Sequence, residues 1–283
     1  MVSLIKLVCI DLDGTLLDSK KHISQRNAET IRRVVESGVH VTIFTGRSFG
    51  SAAHYLKELD IRIPAVFQNG ALIIDPVSMK IFRSIELDAN LAKRFVELAR
   101  AYSVYPVVYE SFFFEKDMAI ENTYEGAFEQ YFQLNSHRIR MVEDLSKELS
   151  QKKSVVEIAL VGKIESVNRV IEEASAKLKN GYTVVENQKR EREAFVEIFG
   201  PGVGKERALE FFLEMYAVTL EEVMYIGDNL NDASIMRMVG TSVAMMNAPD
   251  EIKMIAKHVT DSNDESGVAK ALERLLLRER VGE

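Results

Sequence analysis

Leu4-Ile5-Lys6-Leu7-Val8-Cys9-Ile10-Asp11-Leu12-Asp13-Gly14-Thr15-Leu16-Leu17 decides how the rest of the chain is read. An apolar segment of strand length ends in two carboxylates, two residues apart. In a strand, residues i and i+2 point to the same side, so Asp11 and Asp13 can work on one substrate. Like charges held that close repel each other. Such a pair calls for a divalent cation, or for a division of labour between a nucleophile and a general acid. Gly14 lets the chain turn sharply and lets its backbone come close to a ligand.

Outward from this stretch, apolar runs of strand length alternate with helical periodicity, which is the βαβ pattern of a parallel sheet. The first strand is expected over Leu4 to Ile10. Ser24 caps a helix with Ala28, Ile31 and Val35 on its inner face, and Gly38 stops it. Val39 to Phe44 reads as the second strand, ending at Thr45-Gly46-Arg47, and Ser48 opens another helix. Ala65 to Phe67 and Leu72 to Ile74 are short strands around Asn69-Gly70, and Ile81-Phe82 closes this part.

After about Ser84 the pattern changes. Asp88 caps a helix carrying Leu91, Phe95, Leu98 and Tyr102 on one face. Tyr105 to Glu115 is dense in aromatic and β-branched residues, with a turn at Glu110-Ser111. Ser154 to Val161 is a strand, and Val167, Val170, Ile171, Ala174 and Leu178 follow at helical spacing. Tyr182 to Glu186 and Phe195 to Phe199 pair around a charged turn, Asn187 to Glu193. Gly200-Pro201-Gly202 is a hinge, after which the parallel pattern resumes. A helix from Lys205 turns Ala208, Leu209, Phe212 and Met215 inward. Val223 to Ile226 is a strand stopping at Gly227-Asp228, Ser242 to Met245 is another, and Ser266 begins a C-terminal helix through Leu277. The fold class is therefore α/β. A doubly wound, Rossmann-like parallel-sheet core, 1–83 plus 199–283, carries an inserted α+β domain at 84–198.

The chain of 283 residues is 47% hydrophobic, enough for one large core or two smaller ones. Its net charge of −7 argues against a nucleic-acid-binding surface. The single cysteine, Cys9, cannot form an internal disulfide and fits a reducing compartment. The sequence reaches Asp11 too soon for a signal peptide, and no apolar run approaches the ~20 residues of a membrane span. A cytoplasmic location away from membranes is expected, with the protein a monomer or homodimer.

Three core strands end in polar, glycine-containing turns: Asp11-Leu12-Asp13-Gly14-Thr15, Thr45-Gly46-Arg47 and Gly227-Asp228-Asn229-Leu230-Asn231-Asp232. Ligands of open parallel sheets bind beyond the carboxyl ends of the strands, so all three turns can line one crevice. Together with Lys205 in Gly202-Val203-Gly204-Lys205, these residues resemble the four motifs of the haloacid dehalogenase superfamily of phosphohydrolases. The fit is best to its Cof-type branch, subfamily IIB, in which a large α/β cap is inserted between the second and third motifs. Gln68-Asn69-Gly70-Ala71, Ser242-Val243-Ala244-Met245 and Ser262 to Val268 also resemble the family. The resemblance covers the whole chain. It departs at Gly204, where the family usually has serine, and at Met246, where it often has glycine. These departures bear on fine positioning and remove no charged group.

The resemblance implies a Mg²⁺-dependent phosphatase of small phosphorylated metabolites, with sugar phosphates foremost. Asp11 would attack phosphorus, and Asp13 would act as general acid and base. Asp11, the backbone carbonyl of Asp13 and Asp228 would hold Mg²⁺, with Asp232 supporting them from nearby. Thr45, the Gly46 amide, Lys205, Asn231 and the Leu12 amide would hold the phosphoryl oxygens. The inserted cap would close over the substrate and select the leaving group. A phosphosugar mutase and a non-catalytic sensor of phosphorylated metabolites are the alternatives. The Asp11/Asp13 pair speaks against the sensor, since binding alone needs no nucleophile.

Gly202 to Lys205 superficially suggests a nucleotide P-loop, but Phe199 and Glu206 stand where that motif needs glycine and Ser or Thr. Arg47 is read as a structural ion-pair partner with no catalytic role. The five histidines show no metal-ligand spacing. Most aromatics between Tyr102 and Phe132 are expected to form the cap's own core. His137, Arg138 and Arg140 are expected to make a solvated basic face.

Overall fold

The computed structural model describes residues 5–178 and 180–277. They fall into two compact units. One is drawn from Met1–Arg47, Ser51–Arg83 and Gly204–Glu283, the other from Ser48–Gly50 and Ser84–Val203.

The first unit is built on a five-stranded sheet in the order His258–Val259, Thr241–Ala244, Val223–Gly227, Leu7–Ile10, His40–Ile43. Every pairing in it is parallel, with Cys9 opposite both Tyr225 and Thr42. A strand covered on both faces must be apolar on both, and Leu7–Ile10 is buried throughout. Leu7, Cys9, Val223 and Tyr225 share one core with Leu209, Phe212, Ile235 and Met236. The first helix, Gln25–Glu36, packs with Gly267–Leu272. The chain leaves Leu7–Ile10 in one direction and returns to its other side with Val223–Gly227. The strand order therefore reverses between these two strands, where ligands of such sheets bind.

Ser24 caps the first helix, its side chain accepting the Asn27 N–H, and a cap of this kind is worth ~1 kcal/mol. The buried face is Asn27, Thr30, Ile31 and Val34, whereas the expected Val35 is 48% exposed. Hydrogen bonds make this face habitable for polar groups. Asn27 donates to the Leu16 carbonyl and accepts the Ala269 N–H, and Thr30 donates to Glu273. The helix Lys205–Tyr216 buries Ala208, Leu209 and Phe212 as expected but leaves Met215 half exposed. The expected strand start at Leu4 lies outside the described residues; the strand runs Leu7–Ile10. The C-terminal helix is Gly267–Leu272, followed by a wider π-helical turn, Glu273–Leu277.

The second unit holds a six-stranded sheet ordered Thr183–Arg190, Glu193–Phe199, Glu157–Lys163, Tyr105–Tyr109, Met118–Ile120, Ile139–Met141. All its pairs are antiparallel except the last. Helices Ala89–Ala101 and Ile164–Lys177 cover it through a core of Phe95, Val96, Val167 and Val170 against Val108, Ile158, Leu160, Val196 and Ile198. The single strand expected over Ser154 to Val161 is two. Ser154–Val155 pairs with Leu87–Asp88, and Glu157–Lys163 joins the large sheet. The charged turn expected over 187–193 shrinks to Glu191 and Arg192. The edge strand continues to Arg190 across a bulge between Glu186 and Gln188. Charged side chains suit an exposed edge while the backbone still pairs. Phe112, Tyr124, Phe128 and Phe132 are buried, but Phe113 and Phe114 are exposed.

Arg138 and Arg140 do not form a solvated basic face. Arg138 is buried, with its guanidinium forked onto Asp117, and Arg140 is held by Glu110 and Glu148. Both charges are spent inside the unit. No helix among the described residues is long and apolar enough to cross a membrane.

Candidate active site

Asp11 follows the central strand directly. Its N–H still donates to the Ile226 carbonyl, so the sheet itself fixes the position of its side chain. Lys205, at the first turn of its helix and fully buried, donates to Asp11 Oδ1 at 2.7 Å and to Asp232 Oδ1 at 2.6 Å. Tyr225 donates its hydroxyl to the same Asp232 oxygen at 2.5 Å, and the Asp228 and Asn229 amides reach Asp232 Oδ2 at 2.9 and 3.0 Å. A carboxylate offers about four acceptor positions, and Asp232 has all of its positions engaged.

Asp228 keeps more freedom. Thr15 donates to its Oδ1 at 2.8 Å, and its Oδ2 faces Gly14. A Cβ at Gly14 would stand 2.3 Å from that oxygen, and the backbone there is left-handed at φ +76°. Only glycine fits both conditions. One oxygen from each of Asp11, Asp228 and Asp232 lies within 4.8 Å of the others. Among the described residues this is the group of carboxylates, histidines or cysteines that could hold a metal ion, and it contains no histidine. A hard divalent cation suits such an all-oxygen donor set. Asp11 Oδ2 and Asp228 Oδ2 are the oxygens left over for it.

The electrostatics follow from burial and crowding. Burial pushes the Asp11 carboxyl up to about 7 against the pull of Lys205, and the charges of Asp232 and Asp13 push the same way. Burial, then the charges of Asp11 and Asp232, lift Asp228 well above the ordinary carboxylate range. Asp13 goes the other way. Burial would raise it, but the hydrogen bonds and charges of Arg47 and Lys21 bring it down to about 2.

Asp13 is therefore separated from its neighbour by its partners as well as by position. Arg47 grips it with a fork, Nε to Oδ2 at 2.5 Å and Nη2 to Oδ1 at 2.7 Å, and Lys21 adds Nζ to Oδ1 at 2.6 Å. Thr45 is buried, with its hydroxyl accepting the Arg47 N–H, and its carbonyl accepts the Asn69 N–H. Gly46 packs against the Asn69 amide, where a Cβ would come within 3.4 Å. Asn231 donates to Asn69 Oδ1 at 2.9 Å, so Asn69 joins the second and third turns. The Leu12 side chain is buried and its carbonyl accepts the Thr15 and Leu17 amides, so its N–H is the group it can offer a ligand.

Asp11, Asp228, Asp232 and Lys205 are thus one cluster, and Thr45, Gly46 and Asn231 are linked to one another through Asn69. Tyr225, Thr15, Asn69 and Lys21 also hold this site together, and the sequence alone does not point to them. Thr15 and Asn69 stand in stretches already singled out. A hydroxyl inside an apolar strand was the available signal for Tyr225. Nothing in the sequence marks Lys21.

Residues 8–272 match the haloacid dehalogenase-like hydrolase family. The chain belongs to this family. A 5-amino-6-(5-phospho-D-ribitylamino)uracil phosphatase of Bacillus subtilis is 29% identical over 273 residues, spanning 94% of this chain and 96% of its own. The crystal structure of a haloacid dehalogenase-like hydrolase from Bacteroides thetaiotaomicron is 31% identical, with a TM-score of 0.77 over 96% of this chain and 99% of its own. The fold also matches that of a subclass IIB sugar phosphatase, at a TM-score of 0.78 and 20% identity over 95% of this chain and 98% of the other. The haloacid dehalogenase-like chain described here is an enzyme of the phosphatase type found among these relatives, built on a parallel α/β core.

Proposed function

We propose that this haloacid dehalogenase-like enzyme is a Mg²⁺-dependent phosphatase of small phosphomonoesters, sugar and polyol phosphates foremost, working through an aspartyl-phosphate on Asp11. The observation that carries the reading is the unequal treatment of the two carboxylates. Asp11 is buried against a lysine at the reversal point of the sheet, while Asp13, two residues on, is held apart by Arg47 and Lys21. Set among different partners, the two carboxylates can take different roles, Asp11 within the lysine and carboxylate cluster and Asp13 outside it.

In the first step an Asp11 oxygen bonds to phosphorus, the P–O bond to the alcohol breaks, and Asp13 passes a proton to the departing oxygen. In the second, Asp13 takes a proton from water as the water oxygen bonds to phosphorus and Asp11 is released. Thr45, the Gly46 and Leu12 amides, Lys205 and Asn231 hold the phosphoryl oxygens, so that positioning and charge stabilisation do most of the work. Asp11, Asp228 and the Asp13 carbonyl would hold Mg²⁺, with Asp232 orienting the groups behind them. The cation, when bound, supplies positive charge that offsets the repulsion between carboxylates and phosphate.

The second unit, 84–198 in the sequence reading, is proposed as the cap that selects the leaving group. The name of the Bacillus relative supports a phosphorylated polyol in the substrate class. Inorganic phosphate release from a panel of sugar and polyol phosphates, with Mg²⁺ and with chelator, tests the reading. Release that needs Mg²⁺ and vanishes in Asp11→Asn is the expected result. No release from any ester by folded protein would overturn it.

A further inference from the structure

Asp13 is crowded by donors. Its Oδ1 accepts from both Arg47 Nη2 and Lys21 Nζ, and its Oδ2 accepts from Arg47 Nε. A carboxylate has about four acceptor positions, so three are taken, Oδ1 is full and Oδ2 keeps one. Withdrawal of a donor from Oδ1 opens a second position to an ester oxygen or a water.

The two donors are built differently. Arg47 is only 23% exposed and is fixed at several points. Its fork matches both carboxylate oxygens, and its guanidinium lies 5.4 Å over the centre of the Tyr55 ring. Its N–H donates to Thr45 Oγ1, and its carbonyl accepts the Gln68 N–H. Lys21 has a pinned backbone and a loose side chain. Its carbonyl accepts the Tyr55 hydroxyl at 3.0 Å and its N–H donates to the Asp18 carbonyl, in a left-handed conformation at φ +65°. Its side chain is 47% exposed and is tied to Asp13 by one bond. A single ammonium on a four-carbon stem gives up a contact far more readily than a planar fork.

We propose that Arg47 is a fixed positioning residue for Asp13 and Lys21 a releasable one, whose departure frees Oδ1 while Arg47 keeps the carboxylate aimed. This rests on the phosphatase reading, in which Asp13 gives a proton to the leaving oxygen. Tyr55 couples the two, since its ring carries Arg47 and its hydroxyl holds the Lys21 backbone.

The test compares Arg47→Met, Arg47→Lys and Lys21→Met on two esters. One is the alkyl phosphate turned over fastest in the panel above, and the other is 2,4-dinitrophenyl phosphate, whose leaving group departs without a proton. The ratio kcat/KM reports the first phosphoryl transfer. Arg47→Met should lower it about 100-fold for the alkyl ester and less than about fivefold for the aryl ester, since general acid catalysis is worth that much. Arg47→Lys keeps the charge without the fork and should fall between. Lys21→Met should raise kcat for the alkyl ester about two- to tenfold, by enlarging the fraction of competent enzyme. Equal losses on both esters, or a loss in Lys21→Met as deep as that in Arg47→Met, would overturn the proposal. Wild-type inactivity on both esters would overturn the phosphatase reading instead. Crystal structures separate the two failures: Asp13 should keep its rotamer in Lys21→Met and lose it in Arg47→Met, and the reverse sinks the clamp whatever the activity.

Discussion

The Lys205 ammonium stands 2.6 Å from Asp232 Oδ1, with both side chains shut off from solvent. Removing one member of such a pair strands the other's charge. Lys205→Met should therefore lower the free energy of unfolding by about 3–5 kcal/mol at neutral pH. It should also abolish phosphate release. Asp232→Asn leaves Lys205 its bond to Asp11 and Tyr225 an acceptor, and should destabilise less even though its NH2 replaces the acceptor of the Asp228 and Asn229 amides. Urea unfolding of the three proteins checks the order, and a Lys205→Met loss below about 1 kcal/mol would show that the charges are not isolated there.

Gly14 and Asp228 set a second test. An alanine Cβ at residue 14 would meet Asp228 Oδ2 at 2.3 Å, in a backbone conformation that favours glycine. The strain of a left-handed alanine is of the order of 1 kcal/mol, small enough for folding to survive. The carboxylate has to move, and with it the proposed cation site. Gly14→Ala should need a markedly higher Mg²⁺ concentration for half-maximal phosphate release while losing little thermal stability. An unchanged Mg²⁺ requirement would remove Asp228 Oδ2 from the cation's ligands.

The sequence made the parallel core and its polar turns readable for a physical reason. Strands buried on both faces are continuously apolar, and chemistry sits where they end, as with Leu7–Ile10 and Asp11. It was less informative where a polar residue is buried by a distant partner. The inner face of the first helix is shifted because Asn27 and Thr30 find partners in Leu16, Ala269 and Glu273. No periodicity records such partners. The same holds for Arg138, whose buried partner Asp117 is 21 residues away, and for Lys21, which meets Asp13 only because a tight loop folds back. Charge alone suggested solvent for the arginines, and pairing decided otherwise.

The Arg138–Asp117 pair makes a prediction that charge counting would not. Asp117 is fully buried and Arg138 nearly so. Arg138→Met should destabilise the protein by about 3–5 kcal/mol, because it leaves a buried carboxylate without its fork. The neighbouring His137 is exposed, and His137→Ala should stay within about 0.5 kcal/mol of wild type. Urea unfolding monitored by circular dichroism measures both. Similar small effects for the two variants would mean that Asp117 is satisfied by other groups.

Glu110 ties part of the protein's stability to pH. Burial would raise its carboxyl, but the hydrogen bonds and charges of Arg140 and Lys152 outweigh burial and hold it below its ordinary value of 4.5. Lower in the folded than in the unfolded chain, it contributes stability that is fully present above the unfolded value. That contribution is lost as pH falls through the folded value, where the native carboxylate takes up its proton. Glu110→Gln removes this titration and leaves the other carboxylates in place. The stability difference between wild type and Glu110→Gln should be constant from about pH 7 to pH 5 and shrink toward about pH 3. Arg140→Met should shrink the same difference at neutral pH, since the charge that lowers Glu110 is then gone. A wild-type advantage over Glu110→Gln that stays constant down to about pH 3 would mean that packing, not the ion pair, is what Glu110 supplies.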